Sequence, residues 1–273
     1  MTNTCLTLRG LALSISLAVQ LVQVSSLSGQ ETLQPTSLGK LQVFDAGYNY
    51  ALRAGDLNAD GRAEFLVYPY HAGTMQVVSL RPARGLDFGP VEQVGEILDL
   101  AIGRLSPCDP QNSLVILGGG GSVKIYILQA GRLQLRQSFS VGAGIQVRLA
   151  DLDRDGTPEI LVLNPGDLTT SRPTTLSIFT RTGTNYTKTA SPVLGMEVQS
   201  FSVWDINADG RSDVLYASDF LSPNCRALLN TPGGLVGTNL FDIGNHQDVD
   251  APDIDGDGRP DLLASRPIPV IGP

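Results

Sequence analysis

One nine-residue pattern, D-x-[DN]-x-D-G-x-x-[DE], occurs four times in this chain. The copies are DLNADGRAE from Asp56, DLDRDGTPE from Asp151, DINADGRSD from Asp205 and DIDGDGRPD from Asp253. Each is followed by a short apolar run (FLV, ILV, VLY, LLA) and preceded by a strand-like segment such as IQVRLA or VQSFSVW. Halfway between the first two lies RLSPCDPQN, which aligns without a gap, Arg104 on Asp56 and Asn112 on Glu64. The five starts, 56, 104, 151, 205 and 253, are separated by steps of 48, 47, 54 and 48 residues. A near-constant period in this range is the mark of one supersecondary unit used again and again.

The second unit shows what each contains. EILDLAIG reads as a strand, the 104–112 loop follows, SLVILG is a second strand, GGGS a tight turn, VKIYILQ a third strand and GRLQLRQSFSV a turn and a fourth. The third unit reads alike through IQVRLA, EILVL, TLSIFTR and NYTKTASPV. Short strands punctuated by Gly, Asn and Pro, with no 3.6-residue periodicity, indicate antiparallel sheet. Four strands in about 48 residues is the layout of a β-propeller blade. The expected fold is therefore all-β, a propeller of about five four-stranded blades over residues 38–273. LGKLQVFDAG, ahead of the first loop, resembles VGTNLFDIG of the fourth unit, so an N-terminal strand is expected to complete the last blade. PIPVIGP would supply a short third strand there. An open arc completed by a second chain is the alternative.

The loops carry the chemistry. Calcium takes six to eight oxygen ligands, mostly carboxylates and carbonyls. Side chains at positions 1, 3 and 5 of a tight loop point inward, glycine at 6 permits the turn, position 7 offers its carbonyl, and an acid at 9 closes the cage. An EF-hand opens in the same way but closes with Glu at position 12 on a helix; here the closing acid comes at 9 and a strand follows. The expected ligands are Asp56, Asn58, Asp60, the Arg62 carbonyl and Glu64; Asp151, Asp153, Asp155, the Thr157 carbonyl and Glu159; Asp205, Asn207, Asp209, the Arg211 carbonyl and Asp213; and Asp253, Asp255, Asp257, the Arg259 carbonyl and Asp261. These loops hold 14 of the chain's 27 acidic side chains. The 104 loop offers Arg104, Ser106, Cys108 and Asn112 at the matching positions, so no metal is expected there, and about four Ca²⁺ sites in all.

The first 28 residues differ from the rest. A polar start with Arg9 is followed by an apolar run from Gly10 to Val22 and then by small residues, the layout of a secretory signal peptide. At 13 residues the run is short of the roughly 20 that span a bilayer. Residues 29–37 read as a short linker. The expected location is secreted, extracellular or periplasmic, without membrane insertion after cleavage. A formal charge of −8 with no Lys/Arg cluster speaks against nucleic acid as a partner. Past the leader stand Cys108 and Cys225; a disulfide and two free thiols are both compatible with the sequence.

The acidic loops resemble the FG-GAP and VCBS repeat family, which includes the calcium-bearing propellers of integrin α-subunits. The resemblance spans roughly residues 38–266; DFGP from Asp87 and VGAG from Val141 echo the Phe-Gly and Gly-Ala-Pro signatures. It implies an exported, calcium-stabilised propeller used for binding or adhesion, with a protein or glycan ligand. GxSxG, HExxH and P-loop sequences do not occur, and GGGGS from Gly118 reads as a hairpin turn. His71 reads as a loop residue, with a ligand surface as the alternative, and Trp204 as a core residue, with sugar stacking as the alternative. The expectation is a non-catalytic interaction module in which calcium is structural. The alternative is a carbohydrate-active protein, lectin or polysaccharide lyase, that uses the propeller's top face.

Overall fold

The computed structural model describes residues 50–69, 73–81, 85–196, 198–218, 224–242, 248–250, 253–256 and 259–265. The leader, the linker, the N-terminal strand expected over 38–47, His71 and Asp257 lie outside these residues.

Among the described residues the chain is all β, in successive antiparallel sheets. The first sheet holds β1 (Tyr50–Gly55), β2 (Glu64–Pro69), β3 (Thr74–Arg81) and β4 (Gly85–Gln93). The second holds β5 (Ile97–Gly103), β6 (Ser113–Gly118), β7 (Ser122–Gln129) and β8 (Arg132–Ser140). The third holds β9 (Gln146–Ala150), β10 (Glu159–Asn164), β11 (Thr174–Thr182) and β12 (Asn185–Ala190), with β13 (Val193–Gly195) also pairing β11. The fourth holds β14 (Phe201–Trp204), β15 (Asp213–Ser218), β16 (Asn224–Thr231) and β17 (Gly234–Asp242). A final pair joins β18 (Asp248–Asp250) and β19 (Leu263–Ser265). Within each four-stranded sheet the strands lie in chain order. Every nine-residue loop therefore sits between the first and second strands of its sheet.

Sequence and position agree strand by strand. The second strands β6, β10 and β15 are apolar on both faces because they are covered on both. In β6, Leu114 and Ile116 enter the cluster shared with the first sheet, through Leu66, Tyr68 and Met75. Val115 and Leu117 of the same strand enter the cluster shared with the third, through Ile160 and Val162. Leu161 and Leu163 of β10 then meet Val214 and Tyr216 of β15. The core is thus a series of apolar layers between facing sheets, each residue buried on one side or the other. Outer strands have water on one side, and β8 accordingly reads RLQLRQSFS with most of its positions exposed.

The first strands of neighbouring sheets approach closely. A Cβ on Gly55 would stand 2.7 Å from Ile102 Cδ1, and one on Gly103 would stand 2.8 Å from Leu149 Cδ1. A side chain at either position would have to displace the end of that neighbouring Ile or Leu side chain. A side chain five residues ahead of the 104, 151 and 205 loops then ties its sheet to the next. Asp99 Oδ2 accepts the Val147 N–H at 3.0 Å, Gln146 Oε1 accepts the Phe201 N–H at 2.7 Å, and Ser200 Oγ accepts the Val249 N–H at 3.2 Å. Asp99 also receives Arg148 Nη1 at 2.8 Å and Arg53 Nη2 at 3.3 Å, so one buried carboxylate joins the first three sheets.

Cys108 is exposed, Cys225 is buried, and both are free. Burial pushes the Cys225 thiol up to about 11. Alkylation at about pH 8 is therefore expected to modify Cys108 rapidly and Cys225 only on unfolding, because the thiolate is the reactive form. Peptide mass spectrometry reads the two sites separately, and equal rates would contradict the buried placement.

Candidate metal centre

The loops share one exposure gradient. Position 1 (Asp56, Asp151, Asp205, Asp253) is half-buried, and position 5 (Asp60, Asp155, Asp209) is exposed. Position 3 is exposed at Asp153, Asn207 and Asp255 and half-buried at Asn58. The closing acids Glu64, Glu159 and Asp213 begin the second strands of their sheets and are buried; Asp261 is half-buried.

Each closing acid folds back over its own loop. Glu64 Oε2 accepts the Leu57 N–H at 2.8 Å, Glu159 Oε2 the Leu152 N–H at 2.9 Å, Asp213 Oδ2 the Ile206 N–H at 3.0 Å and Asp261 Oδ2 the Ile254 N–H at 2.9 Å. The position-1 carboxylate takes the glycine N–H of position 6 in three loops, Gly61 to Asp56, Gly156 to Asp151 and Gly210 to Asp205. These bonds bend the loop around its acids.

The bend needs a second left-handed residue that the sequence reading missed. Position 6 has positive φ at Gly61, Gly156 and Gly210, as expected, but so does position 4, at Ala59 (60°), Arg154 (66°) and Ala208 (59°). The fourth loop has glycine at position 4, Gly256 with φ 79°. That residue was the available signal, masked in the other copies by side chains that rarely adopt this conformation. A left-handed non-glycine residue costs of order 1–3 kcal/mol and persists where its surroundings over-determine it.

Two loops carry an acid at position 3 that joins those at positions 1 and 9, and two carry asparagine there. Asp151, Asp153 and Glu159 bring one oxygen each within 4.8 Å of one another, and so do Asp253, Asp255 and Asp261. Asp155 does not join the first group; its Oδ1 accepts the Thr157 N–H at 2.6 Å. In the 56 loop the Asn58 NH₂ donates to Asp60 Oδ2 at 3.3 Å and to Glu64 Oε1 at 3.2 Å. In the 205 loop the Asn207 NH₂ donates to Asp209 Oδ2 at 3.2 Å. Arg62 and Arg259 are exposed, and Thr157 and Arg211 are half-buried.

A hard cation fits the 151 loop on one direct observation: Asp151 Oδ1 is buried and has no hydrogen-bond partner. A carboxylate oxygen withdrawn from water costs several kcal/mol unless a positive group or donor compensates it. With only oxygen donors in the set, the chemistry suits Ca²⁺ or Mg²⁺ and not a thiolate-seeking metal; many flexible ligands favour Ca²⁺ over octahedral Mg²⁺.

The electrostatics agree. Burial raises the carboxyl of Glu159 to about 6, with Asp153 and Asp151 adding to the rise. Burial likewise raises Glu64 and Asp213. The folded chain therefore holds these protons more tightly than the unfolded chain does. For Glu159 the stabilising contribution is complete below about 4.5 and lost as pH rises through about 6. In chelator, the melting temperature of the wild type relative to Glu159→Gln is expected to fall across that window. A flat or rising difference would contradict the assignment.

Trp204 is half-buried, and its indole N–H donates to Asp250 Oδ1 at 3.1 Å. The 104 loop lacks the acid cage, and its Asn112 side chain instead donates to the Asp56 carbonyl of the preceding loop. No protein-family model matches this chain, and no curated protein matches it. The site's own geometry carries the functional argument.

Proposed function

We propose that this chain is an exported, five-bladed β-propeller stabilised by calcium, and that it works as a non-catalytic interaction or adhesion module. The observation that carries the calcium reading is the buried, partnerless Asp151 Oδ1 inside a ring of acids. The propeller reading is supported by the same contact recurring from sheet to sheet: first strands side by side, second strands covered on both faces, outer strands polar.

In this reading the final pair is an incomplete blade. Ile254 and Leu263 are 63% and 54% exposed, whereas their counterparts Leu57 and Leu66 are at 0%. The strand expected over 38–47 and the segment PIPVIGP are the pieces that would cover them. Closure of the ring would also remove a sheet edge open to association with another chain.

Calcium fixes the turn between the first and second strands of four blades, and the exposed loops and outer strands present the partner surface. A glycan-binding screen and a polysaccharide lyase assay, both in millimolar calcium, test the interaction role. Neither binding nor turnover is expected, leaving a protein partner. Glycan binding or cleavage would move the chain to the carbohydrate-active class.

A further inference from the structure

We propose that the Arg181 guanidinium serves the 104–112 loop as a built-in cation, so that the junction of the second and third sheets stays closed without calcium. The contrast with the other loops rests on the calcium reading above.

Arg181 has a structural counterpart one sheet later. Ile160 pairs with Phe179 and Val214 pairs with Leu228, which puts Arg181 and Asn230 at the same place in β11 and β16, two residues past those pairs. Both side chains reach back to the carbonyl of the second loop residue in the preceding sheet. Asn230 Nδ2 donates to the Leu152 carbonyl at 2.6 Å, and Arg181 Nη1 donates to the Leu105 carbonyl at 3.2 Å. The reach is shared and the charge is not. The acid-rich 151 loop meets a neutral amide. The 104 loop, with Arg104, Ser106, Cys108 and Asn112 in place of ligands, meets a guanidinium.

That guanidinium also has an anion to hold. Asp109 Oδ2 lies 3.9 Å from Arg181 Nη1, and Asp109 Oδ1 lies 3.3 Å from Arg136 Nη1. Arg136 belongs to β8 of the loop's own sheet and Arg181 to β11 of the next, so Asp109 is gripped from both sides of the junction. Arg181 Nε donates to the Gly183 carbonyl at 3.0 Å, which orients the group. The loop is otherwise seated: Leu105 is buried in the layer between the two sheets, and the Asp109 N–H donates to the Ser106 carbonyl at 3.0 Å. Chelation would then loosen the turns at 151 and 205 and spare the one at 104.

Hydrogen–deuterium exchange of the full chain, in about 5 mM calcium and in chelator, tests this on the wild type, Arg181→Met and Arg181→Lys. In chelator, peptides over 151–159 and 205–213 are expected to exchange about tenfold faster, the effect of losing a ligand held at ten times its Kd. Peptides over 104–112 should not change. Arg181→Met should speed 104–112 about two- to fivefold in both solutions, the range of a partly exposed ion pair, and Arg181→Lys should restore part of the protection. The proposal is overturned if 104–112 responds to calcium like its neighbours, if Arg181→Met leaves it unchanged, or if Lys and Met behave alike. If no loop responds to calcium while Arg181→Met still acts, the calcium reading fails and Arg181 is left as a latch that replaces nothing.

Discussion

On the calcium reading proposed above, withdrawing calcium is expected to remove about 5–6 kcal/mol of stability, the largest effect that reading predicts. Calcium sites of extracellular modules have Kd of about 10⁻⁴–10⁻³ M. At ten times Kd a site that exists only in the folded chain adds about 1.4 kcal/mol, and four independent sites add about four times that. A domain's whole stability is about 5–15 kcal/mol. Thermal unfolding in about 10 mM calcium and in excess chelator should differ by many degrees. The paired changes Asp151→Ala and Asp253→Ala should take away about half of the calcium-dependent part. These two loops have acids at positions 1, 3 and 9 with oxygens within 4.8 Å of one another, and the Asp151 change also removes the partnerless buried oxygen. Superimposed curves would mean that the loops are only turns.

The second large effect belongs to Asp99. Its carboxylate is buried and receives the Val147 N–H and the guanidinium groups of Arg53 and Arg148, drawn from the sheets on either side. Removing it leaves two half-buried guanidinium groups and a buried N–H without their acceptor, at a cost of about 1–3 kcal/mol. Asp99→Ala should therefore shift the urea midpoint strongly with little change in slope. Asp99→Asn keeps an acceptor for the Val147 N–H and should cost less. A loss under about 0.5 kcal/mol for Asp99→Ala, the range of an ordinary surface substitution, would show that the sheets are held by their apolar layers alone.

Asp99 also marks where sequence reading stops. The strands were legible because they are local: the expected EILDLAIG and SLVILG appear as β5 and β6 with almost the same ends. The loops were legible because four copies keep one spacing. The Asp99 contacts join residues 46 to 49 apart, and nothing in one unit shows that its fifth residue before the loop will meet the backbone of the next. The same holds for Arg181, which meets a carbonyl 76 residues earlier. The unit that is six or seven residues longer than its neighbours gave no hint that it would add β13 to the edge of β11. Position 4 of the loop was hidden for a different reason: Ala59, Arg154 and Ala208 adopt a backbone that their side chains disfavour, held there by hydrogen bonds invisible in the sequence. The asparagine at position 3 of the 56 and 205 loops was legible, but the hydrogen bonds its NH₂ group makes to neighbouring acids were not.

A crystal structure of the protein grown in about 10 mM CaCl₂ tests the central claim most directly. The account predicts an ion in each of the loops at 56, 151, 205 and 253, with oxygen ligands at about 2.3–2.6 Å. It also predicts none in the 104 loop, and a ring of five sheets closed by the strand from residues 38–47. Well-ordered acidic loops that bind no ion at that concentration would contradict it.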